Sequence, residues 1–203
     1  MANMAGLSME EKKGHIFEHE KKMARQLALM VMDKPEPPFW ASFIPMIFVF
    51  YAQKLKQYSQ GLDDFVDNYL VSRRHAMEAA LAAMVEDSRV DARQLLKKAG
   101  DIPPAAKLLY LEWVTLLIDH YQVLLDADGD CHEDLARNGY KNKRGYISAW
   151  TSLNDAERAF NMALLPDVDG DSEDILNVIQ KMNAGIVHLR YQDAEAVFPH
   201  ETN

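Results

Sequence analysis

The sequence predicts an all-α fold, an antiparallel helical bundle of five long helices with one or two short ones. Three observations predict it. Glycine and proline are few, at 9 and 8 of 203 residues, apolar residues recur at spacings of three and four, and no segment shows the period-two alternation of a strand. The glycines and prolines fall between the periodic stretches, where helices end. We therefore expect residues 1–203 to form a single helical domain, with a weak division near residues 100–104.

The first helix is expected over residues 8–33. Ser8 is followed three residues later by Glu11, which is the arrangement of a capping box. Prolines at positions 35, 37 and 38 follow the helix, and they end it because proline lacks the backbone N–H and restricts the preceding residue.

Periodicity predicts five more helices, over residues 62–87, 90–99, 105–126, 145–165 and 174–196. Gly100 ends the second of these, because glycine readily adopts the left-handed conformation after a helix. The helix over residues 105–126 carries the broadest apolar surface, and we expect it to be central.

The segment between the first two helices, residues 39–51, has no charge and six of the 19 aromatic residues. A membrane-spanning helix needs about 20 apolar residues, whereas the uncharged stretch here, residues 37–53, is 17 long and includes a proline. We therefore expect no membrane span, but a segment covered by the protein's own helices, a protein partner or a hydrophobic ligand. A homodimer interface is predicted on Phe39, Trp40, Phe43, Phe48 and Phe50, because two-fold closure commonly buries such a patch.

The net charge of −9 belongs to the second half of the chain. Residues 1–100 hold 14 basic and 13 acidic residues, whereas residues 101–203 hold 8 and 18. Nucleic-acid binding requires a basic surface, so no such role is expected. The single cysteine, Cys131, excludes an intramolecular disulfide, and the N-terminus lacks the apolar stretch of a secretory signal. The sequence thus predicts a cytoplasmic protein.

Two patterns supply candidate metal ligands. His-x-x-Glu, which puts both side chains on one helix face, occurs at His15/Glu18 and His75/Glu78. The DxDGD motif occurs at residues 126–130 and 167–171, and in the first copy Asp126, Asp128, Asp130 and Asp134 are candidate Ca²⁺ ligands.

Simpler explanations exist for both patterns. The Glu-x-x-His order of di-iron bundles is absent, and the histidine pairs lie on polar helix faces. Position twelve of the first acidic loop is Arg137, where an EF-hand has glutamate, and aspartates also form turns and cap helices. The sequence therefore favours no metal site and predicts no cofactor.

Three ionisable residues interrupt apolar helix faces: Arg73, His120 and Glu157. A buried charge is costly unless it is paired, so Arg73 and Glu157 are expected to have partners or to reach the protein edge. His120 is interpreted first as a hydrogen-bonded core histidine, and all three remain candidates for a catalytic pocket.

The leading functional hypothesis is a non-enzymatic protein that acts by self-association or protein–protein interaction through residues 39–51. Motifs of nucleophilic catalysis and of nucleotide binding are absent. The alternative is a metal- or cofactor-dependent helical-bundle enzyme with a pocket around His120. A Ca²⁺-responsive module that uses the two DxDGD loops is the third.

Overall fold

Seven α-helices and no strand make up the part of the chain that this computed structural model describes, which confirms the all-α fold. That part comprises residues 6–32, 45–100, 102–167 and 172–199, with the backbone alone at 45–55, 167 and 172–175. The helices are α1 (Met9–Val31), α2 (Pro45–Val85), α3 (Ala92–Lys98), α4 (Lys107–Asp126), α5 (His132–Tyr140), α6 (Lys143–Leu164) and α7 (Ser172–Val197). Short 3₁₀ turns precede α4 at Pro104–Ala106 and follow α6 at Leu165–Asp167.

Side-chain caps fix the starts of three helices. The predicted capping box of α1 is confirmed, since the Glu11 amide donates to Ser8 Oγ at 3.3 Å and the Ser8 amide donates to Glu11 Oε2 at 2.8 Å. Asp91 caps α3 and Asn142 caps α6 in the same manner. Gly100 has the expected left-handed backbone, with a φ of 81°.

Two elements differ from the prediction. Helix α2 runs without a break from Pro45 to Val85, so the residues from 45 to 51 belong to the same helix as those from 62 onward. Nothing in residues 52–61 stops a helix, and Gly61 lies close to the end of the Met32 side chain, whose Cε would be 2.8 Å from a Cβ atom at position 61. Helix α5 was not predicted, since its nine residues are too few to show a helical period.

Helix α4 is central, as expected, and contacts α1, α2, α3, α5 and α6. The main core lies around it, and helices on both sides of residues 100–104 contribute to that core. Most of the residues that helical periodicity assigns to the core are buried: Leu70, Met77, Leu81, Trp113, Leu117, Trp150, Leu153, Phe160 and Ile186. The exceptions are Phe65, which is half-buried at the edge of two smaller apolar clusters, and Ile179, which is half-buried beside the exposed Val178 on α7.

The segment Pro104–Asp126, which contains α4, is long and apolar enough to cross a membrane by length and composition. Within the protein, 50% of its most apolar window is buried. The central helix of a bundle has the same length, apolar composition and partial burial, and α4 occupies that position.

Candidate metal centre

A group of eight ionisable side chains lies inside the bundle, and we call it the polar centre. It draws on six of the helices. Its members are His19 and Glu20 on α1, Arg73 on α2, His120 on α4, His132 on α5, Glu157 on α6, and Arg190 and Asp193 on α7. Seven of them are buried, and the side chain of His19 is 10% exposed. Because buried charge is costly, each charged group requires an opposite charge or a hydrogen bond.

Arg73 and Glu157 meet each other in the polar centre. Arg73 Nη2 donates to Glu157 Oε2 at 2.7 Å, and Arg73 Nε lies 3.5 Å from Glu20 Oε2. The same oxygen of Glu20 is 3.4 Å from Arg190 Nη2, so one carboxylate lies between two guanidinium groups. The sequence predicted that Arg73 and Glu157, if buried, would need partners. In the structure they pair with each other and belong to one ion-pair network.

Aromatic rings support both guanidinium groups. The Cζ atom of Arg73 lies 3.8 Å from the centre of the Tyr69 ring, and that of Arg190 lies 3.2 Å from the centre of the Trp150 ring. Burial alone would raise the pKa of Glu20, but the neighbouring Arg190 and Arg73 outweigh it and hold that pKa below its usual value. Glu20 is therefore ionised at neutral pH.

Three side chains of the polar centre could hold a metal ion together. His19, His132 and Asp193 each offer one ligand atom, and these three atoms lie within 4.8 Å of one another. They come from three helices, α1, α5 and α7, that meet at one side of the core. Within the described residues this is the one group of three or more His, Cys, Asp or Glu side chains with such a geometry.

The two imidazoles of this group lie in parallel contact. Their ring centres are 3.5 Å apart and their planes differ by 4°. His19 Nε2 lies 3.3 Å from Asp193 Oδ1 but lacks the alignment of a hydrogen bond, and His132 Nδ1 is buried without a hydrogen-bond partner. His132 Nδ1 is thus a buried ring nitrogen without a partner, and His19 Nε2 has only a poorly aligned one, which is uncommon for buried polar atoms.

The protonation of His132 suits metal binding. Burial, together with the adjacent His19, lowers the pKa of His132 to about 4. The ring is therefore neutral at neutral pH, and a neutral imidazole is the form that coordinates a metal ion.

Asp193 is held in place by its neighbours. Its Oδ2 accepts a hydrogen bond from the Tyr146 hydroxyl, which leaves Oδ1 toward His19. Burial raises the pKa of Asp193, but the contacts with His19, Arg190 and Tyr146 outweigh burial and hold that pKa well below its usual value. An ionised carboxylate oriented by a second side chain is typical of a metal ligand.

His120 lies next to this group without belonging to it. Its Nδ1 is 2.6 Å from the Tyr140 hydroxyl, its ring centre is 4.4 Å from that of Trp150, and burial lowers its pKa to about 3. Its Nε2 has no hydrogen-bond partner. His120 is a neutral, hydrogen-bonded histidine in the wall of the polar centre.

The donor set fits a divalent transition metal in ligand type and in charge. Two imidazoles and one carboxylate are the ligands of open catalytic zinc and non-haem iron sites. In a tetrahedral site with bonds of about 2.1 Å, ligand atoms lie about 3.4 Å apart, whereas the three atoms here lie within 4.8 Å of one another and the two imidazole planes are parallel, so both rings must turn before they can bind one ion. The charges also fit, because Arg73 and Arg190 face the three carboxylates Glu20, Glu157 and Asp193, which leaves one negative charge when the imidazoles are neutral.

The other candidate ligands lie apart from the polar centre. His15, Glu18 and Glu78 are exposed and His75 is half-buried, and His15, Glu18 and Glu78 line a surface groove between α1 and α2. Asp126, Asp128 and Asp130 are exposed in and beside the loop that joins α4 to α5. Both carboxylate oxygens of Asp134 are engaged, Oδ1 by Arg137 Nη1 at 2.7 Å and Oδ2 by Cys131 Sγ at 3.3 Å. Residues 168–171 of the second DxDGD loop lie outside the described residues.

The predicted interface also lies outside what the structure describes. Phe39, Trp40 and Phe43 fall in the undescribed stretch 33–44, and Phe48 and Phe50 fall in the part of α2 where only the backbone is described. Self-association through these side chains stays a prediction.

Sequence reasoning missed most of the polar centre although a signal for it was present. Glu20 interrupts the apolar line of Ile16, Met23 and Leu27 on α1, and Arg190 and Asp193 interrupt the line of Ile186 and Val197 on α7. Arg73 and Glu157 interrupt apolar helix faces in the same way. His132 gave no such signal, because it was interpreted as part of an acidic loop and is in fact the first residue of α5.

Comparison with protein-family models, with curated proteins and with solved structures finds no match to this chain. Its function is therefore argued from the polar centre alone.

Proposed function

We propose that the protein is a metal-dependent helical-bundle enzyme whose centre is formed by His19, His132 and Asp193. The observation that carries the proposal is the convergence of two ring nitrogens and one carboxylate oxygen, all within 4.8 Å, inside a bundle. Neutral His132 and ionised Asp193 are in the protonation states that coordination requires. The net negative charge of the polar centre supports a bound cation.

Three protein ligands favour a catalytic role over a structural one. Structural zinc sites use four protein ligands, commonly with cysteine, whereas catalytic sites use three and keep a position for water or substrate. Cys131 is adjacent to His132 in sequence, but its sulfur contacts Asp134, so it does not complete a fourth ligand. When bound, a divalent metal would supply Lewis-acid activation of a water molecule or of a substrate oxygen.

The surrounding residues of this chain have defined tasks in such a centre. Tyr146 orients Asp193 by donating to Oδ2, and the Arg73–Glu157 pair fixes the relation of α2 to α6. Arg190, one helical turn from Asp193, places a positive charge beside the centre. These contacts hold the ligands before any ion binds.

Metal uptake by the full-length protein tests the proposal. Protein stripped with a chelator and dialysed against Zn²⁺ or Co²⁺ is expected to take up about one equivalent by elemental analysis, and Co²⁺ is expected to give a visible absorption spectrum. The variants His19→Ala, His132→Ala and Asp193→Asn are expected to weaken binding by about 100-fold or more, since even outer contacts of metal sites are worth about 10–100-fold. The matched controls are His15→Ala on α1 and His188→Ala on α7, both at exposed positions.

A second measurement keeps the test decisive if a variant folds poorly. At a metal concentration about 100 times the dissociation constant, binding stabilises the native wild type by about 2.7 kcal/mol, which corresponds to a rise in Tm of about 5–10 °C. The opposing explanation is that His19 and Asp193 form an ion pair only. That explanation predicts no metal uptake and no shift in Tm for the wild type, and this result would overturn the proposal.

A further inference from the structure

A groove with a volume of about 510 Å³ lies on the surface between α1 and α2. We propose that it is a docking site for a basic, amphipathic helix of a partner protein. The groove is separate from the metal centre, since none of His19, His132 and Asp193 lines it. The inference therefore does not depend on the proposed function.

The shape of the groove matches a helix. Phe17 on α1 lies beside Arg74 on α2. Arg25, further along α1, pairs with Asp63, which precedes Arg74 on α2, so the two helices run antiparallel. The lining residues of α1 fall within residues 10–18, a rise of about 12 Å or two helical turns. A third helix can lie along two such neighbours at the usual interaxial distance of about 8–10 Å, which is the helix-in-groove mode of recognition.

The floor of the groove is apolar and is open at Gly14. Phe17 and Met77 supply its apolar surface, and a Cβ atom at position 14 would meet nothing within 4 Å. Glycine destabilises a helix interior more than any residue except proline, and no contact within the described part of the chain requires a glycine here. A partner helix supplies a reason for Gly14, because another chain can approach the backbone of α1 most closely where there is no side chain.

The rim of the groove is acidic. It carries four carboxylates and two cations, which are Glu10, Glu11, Glu18, Glu78, Lys13 and Arg74. Glu10 is paired with Lys13 at 3.2 Å, and Glu11 is engaged in the capping box of α1. Glu18 on α1 and Glu78 on α2 form no ion pair or hydrogen bond with any of the described residues. Two carboxylates on opposite sides of an apolar floor complement a helix that carries lysine or arginine on both flanks of an apolar stripe.

The same features favour a protein partner over a small molecule. Pockets for small molecules are lined mostly by apolar and aromatic side chains with a few polar groups, whereas seven of the ten residues that line this groove are ionisable. A polar rim around an apolar centre is typical of a protein–protein interface. The net charge of −9 of the whole chain also attracts a basic partner at long range and opposes an acidic one.

Peptide titrations of the full-length protein test the inference. The probe is a fluorescein-labelled peptide of about 18 leucine and lysine residues, with leucine at helical spacings of three and four, and its counterpart has glutamate in place of lysine. Fluorescence anisotropy at about 0.15 M salt measures binding. The lysine peptide is expected to bind at least about tenfold more tightly than the glutamate peptide, because only lysine complements Glu18 and Glu78.

Gly14→Ala separates the effect on binding from the effect on folding. Alanine favours a helix and has room at this position, so the Tm of the variant is expected to rise by about 2–4 °C. The added methyl group lies in the groove, and binding of the lysine peptide is expected to weaken by about threefold or more. Ser152→Ala, at an exposed position on α6, is the control and is expected to leave binding unchanged. A loss of binding in a more stable protein cannot result from unfolding.

Charge reversal tests the rim of the groove. The double variant Glu18→Lys/Glu78→Lys is expected to weaken binding of the lysine peptide by about tenfold or more. Glu112→Lys/Asp119→Lys, at exposed positions on α4, changes the net charge of the protein equally. It is expected to weaken binding by less than about threefold, because charges outside the groove are screened by salt.

Four results would overturn the inference. Absence of binding, or equal binding of the two peptides, contradicts the argument from charge. Equal effects of the two double variants indicate a general attraction to an acidic protein, and binding that Gly14→Ala leaves unchanged contradicts the placement. A wild-type dimer in sedimentation equilibrium that Gly14→Ala dissociates assigns the groove to a second copy of this chain. Preference for the lysine peptide that both groove variants weaken, and that neither control weakens as much, supports the inference.

Discussion

Helix α6 contributes to two buried regions of opposite character. Phe160 packs with Tyr110 and Trp113 in what we call the aromatic cluster, with ring centres 5.3 Å and 5.6 Å from that of Phe160. One turn earlier on the same helix, Glu157 pairs with Arg73 in the polar centre. Both regions are buried, yet different forces hold them: burial of apolar surface in the first, and charge pairing against a cost of desolvation in the second.

The two regions are expected to contribute differently to the stability of the fold. Packed aromatic side chains contribute several kcal/mol each, whereas buried ion pairs often contribute no more than apolar residues of the same shape would. A network with two guanidinium groups, three carboxylates and three histidines is therefore an expensive way to fill a core. The metal centre that we propose gives a reason for such a network that stability alone does not give.

The largest expected effect on stability belongs to the aromatic cluster. Phe160→Ala removes a ring from a packed core and leaves a cavity, so the free energy of unfolding should fall by about 3–5 kcal/mol. Urea denaturation measures this loss, and Met162→Ala, at a position that is 42% exposed on the same helix, is the control with an expected change below about 0.5 kcal/mol. Metal uptake by folded Phe160→Ala should equal that of the wild type. A loss of metal binding there would mean that the two regions are not separate.

The second-largest loss of stability is expected when only one partner of the Arg73–Glu157 ion pair is removed. Glu157→Leu leaves Arg73 buried with Glu20 as its remaining partner, and we expect a loss of about 3 kcal/mol. The double variant Arg73→Met/Glu157→Leu removes both charges, and its stability should return to within about 1 kcal/mol of the wild type. A double variant as unstable as the single one would show that the pair itself stabilises the fold, and the ion-pair network would then need no ligand to explain it.

The sequence predicted the fold well because helical periodicity is a local property. The caps at Ser8 and Gly100 were also local and were found where expected. Residues 52–61, which no predicted helix included, lie within α2, because nothing in them stops a helix. Helix α5 was missed because it is too short to show a period.

The polar centre was less predictable because it depends on which helices meet. Charged residues on apolar faces can be found in a sequence, and Arg73 and Glu157 were found in this way. That they pair with each other, across 84 positions, follows only from the assembled bundle, in which α2 and α6 both pack on α4. Nothing in the sequence relates His19 to His132 or Asp193.

The smallest expected effect is on how the free energy of unfolding depends on pH. It tests the polar centre selectively, because the aromatic cluster has no such dependence. Burial lowers the pKa of His120 to about 3, below the value of about 6.5 expected in the unfolded chain. The ionisable groups that act on His120 are Glu20 and Asp193, which favour its protonation, and Arg190 and His132, which oppose it. Below pH 6.5 the unfolded chain binds a proton that the folded chain does not, so stability falls as the pH is lowered.

Between pH 6.5 and pH 4.5, His120 should account for a loss of about 2–3 kcal/mol in the free energy of unfolding. His120→Gln removes this contribution, so the variant should lose less stability over that interval than the wild type, by about the same amount. His188→Gln, at an exposed position on α7, should follow the wild-type curve. The loss of stability caused by Phe160→Ala, in contrast, should be the same at both pH values, because the aromatic cluster holds no group that titrates between them. Parallel curves for His120→Gln and the wild type would mean that His120 is not buried in its neutral form, and the polar centre would then differ little from an ordinary solvated surface.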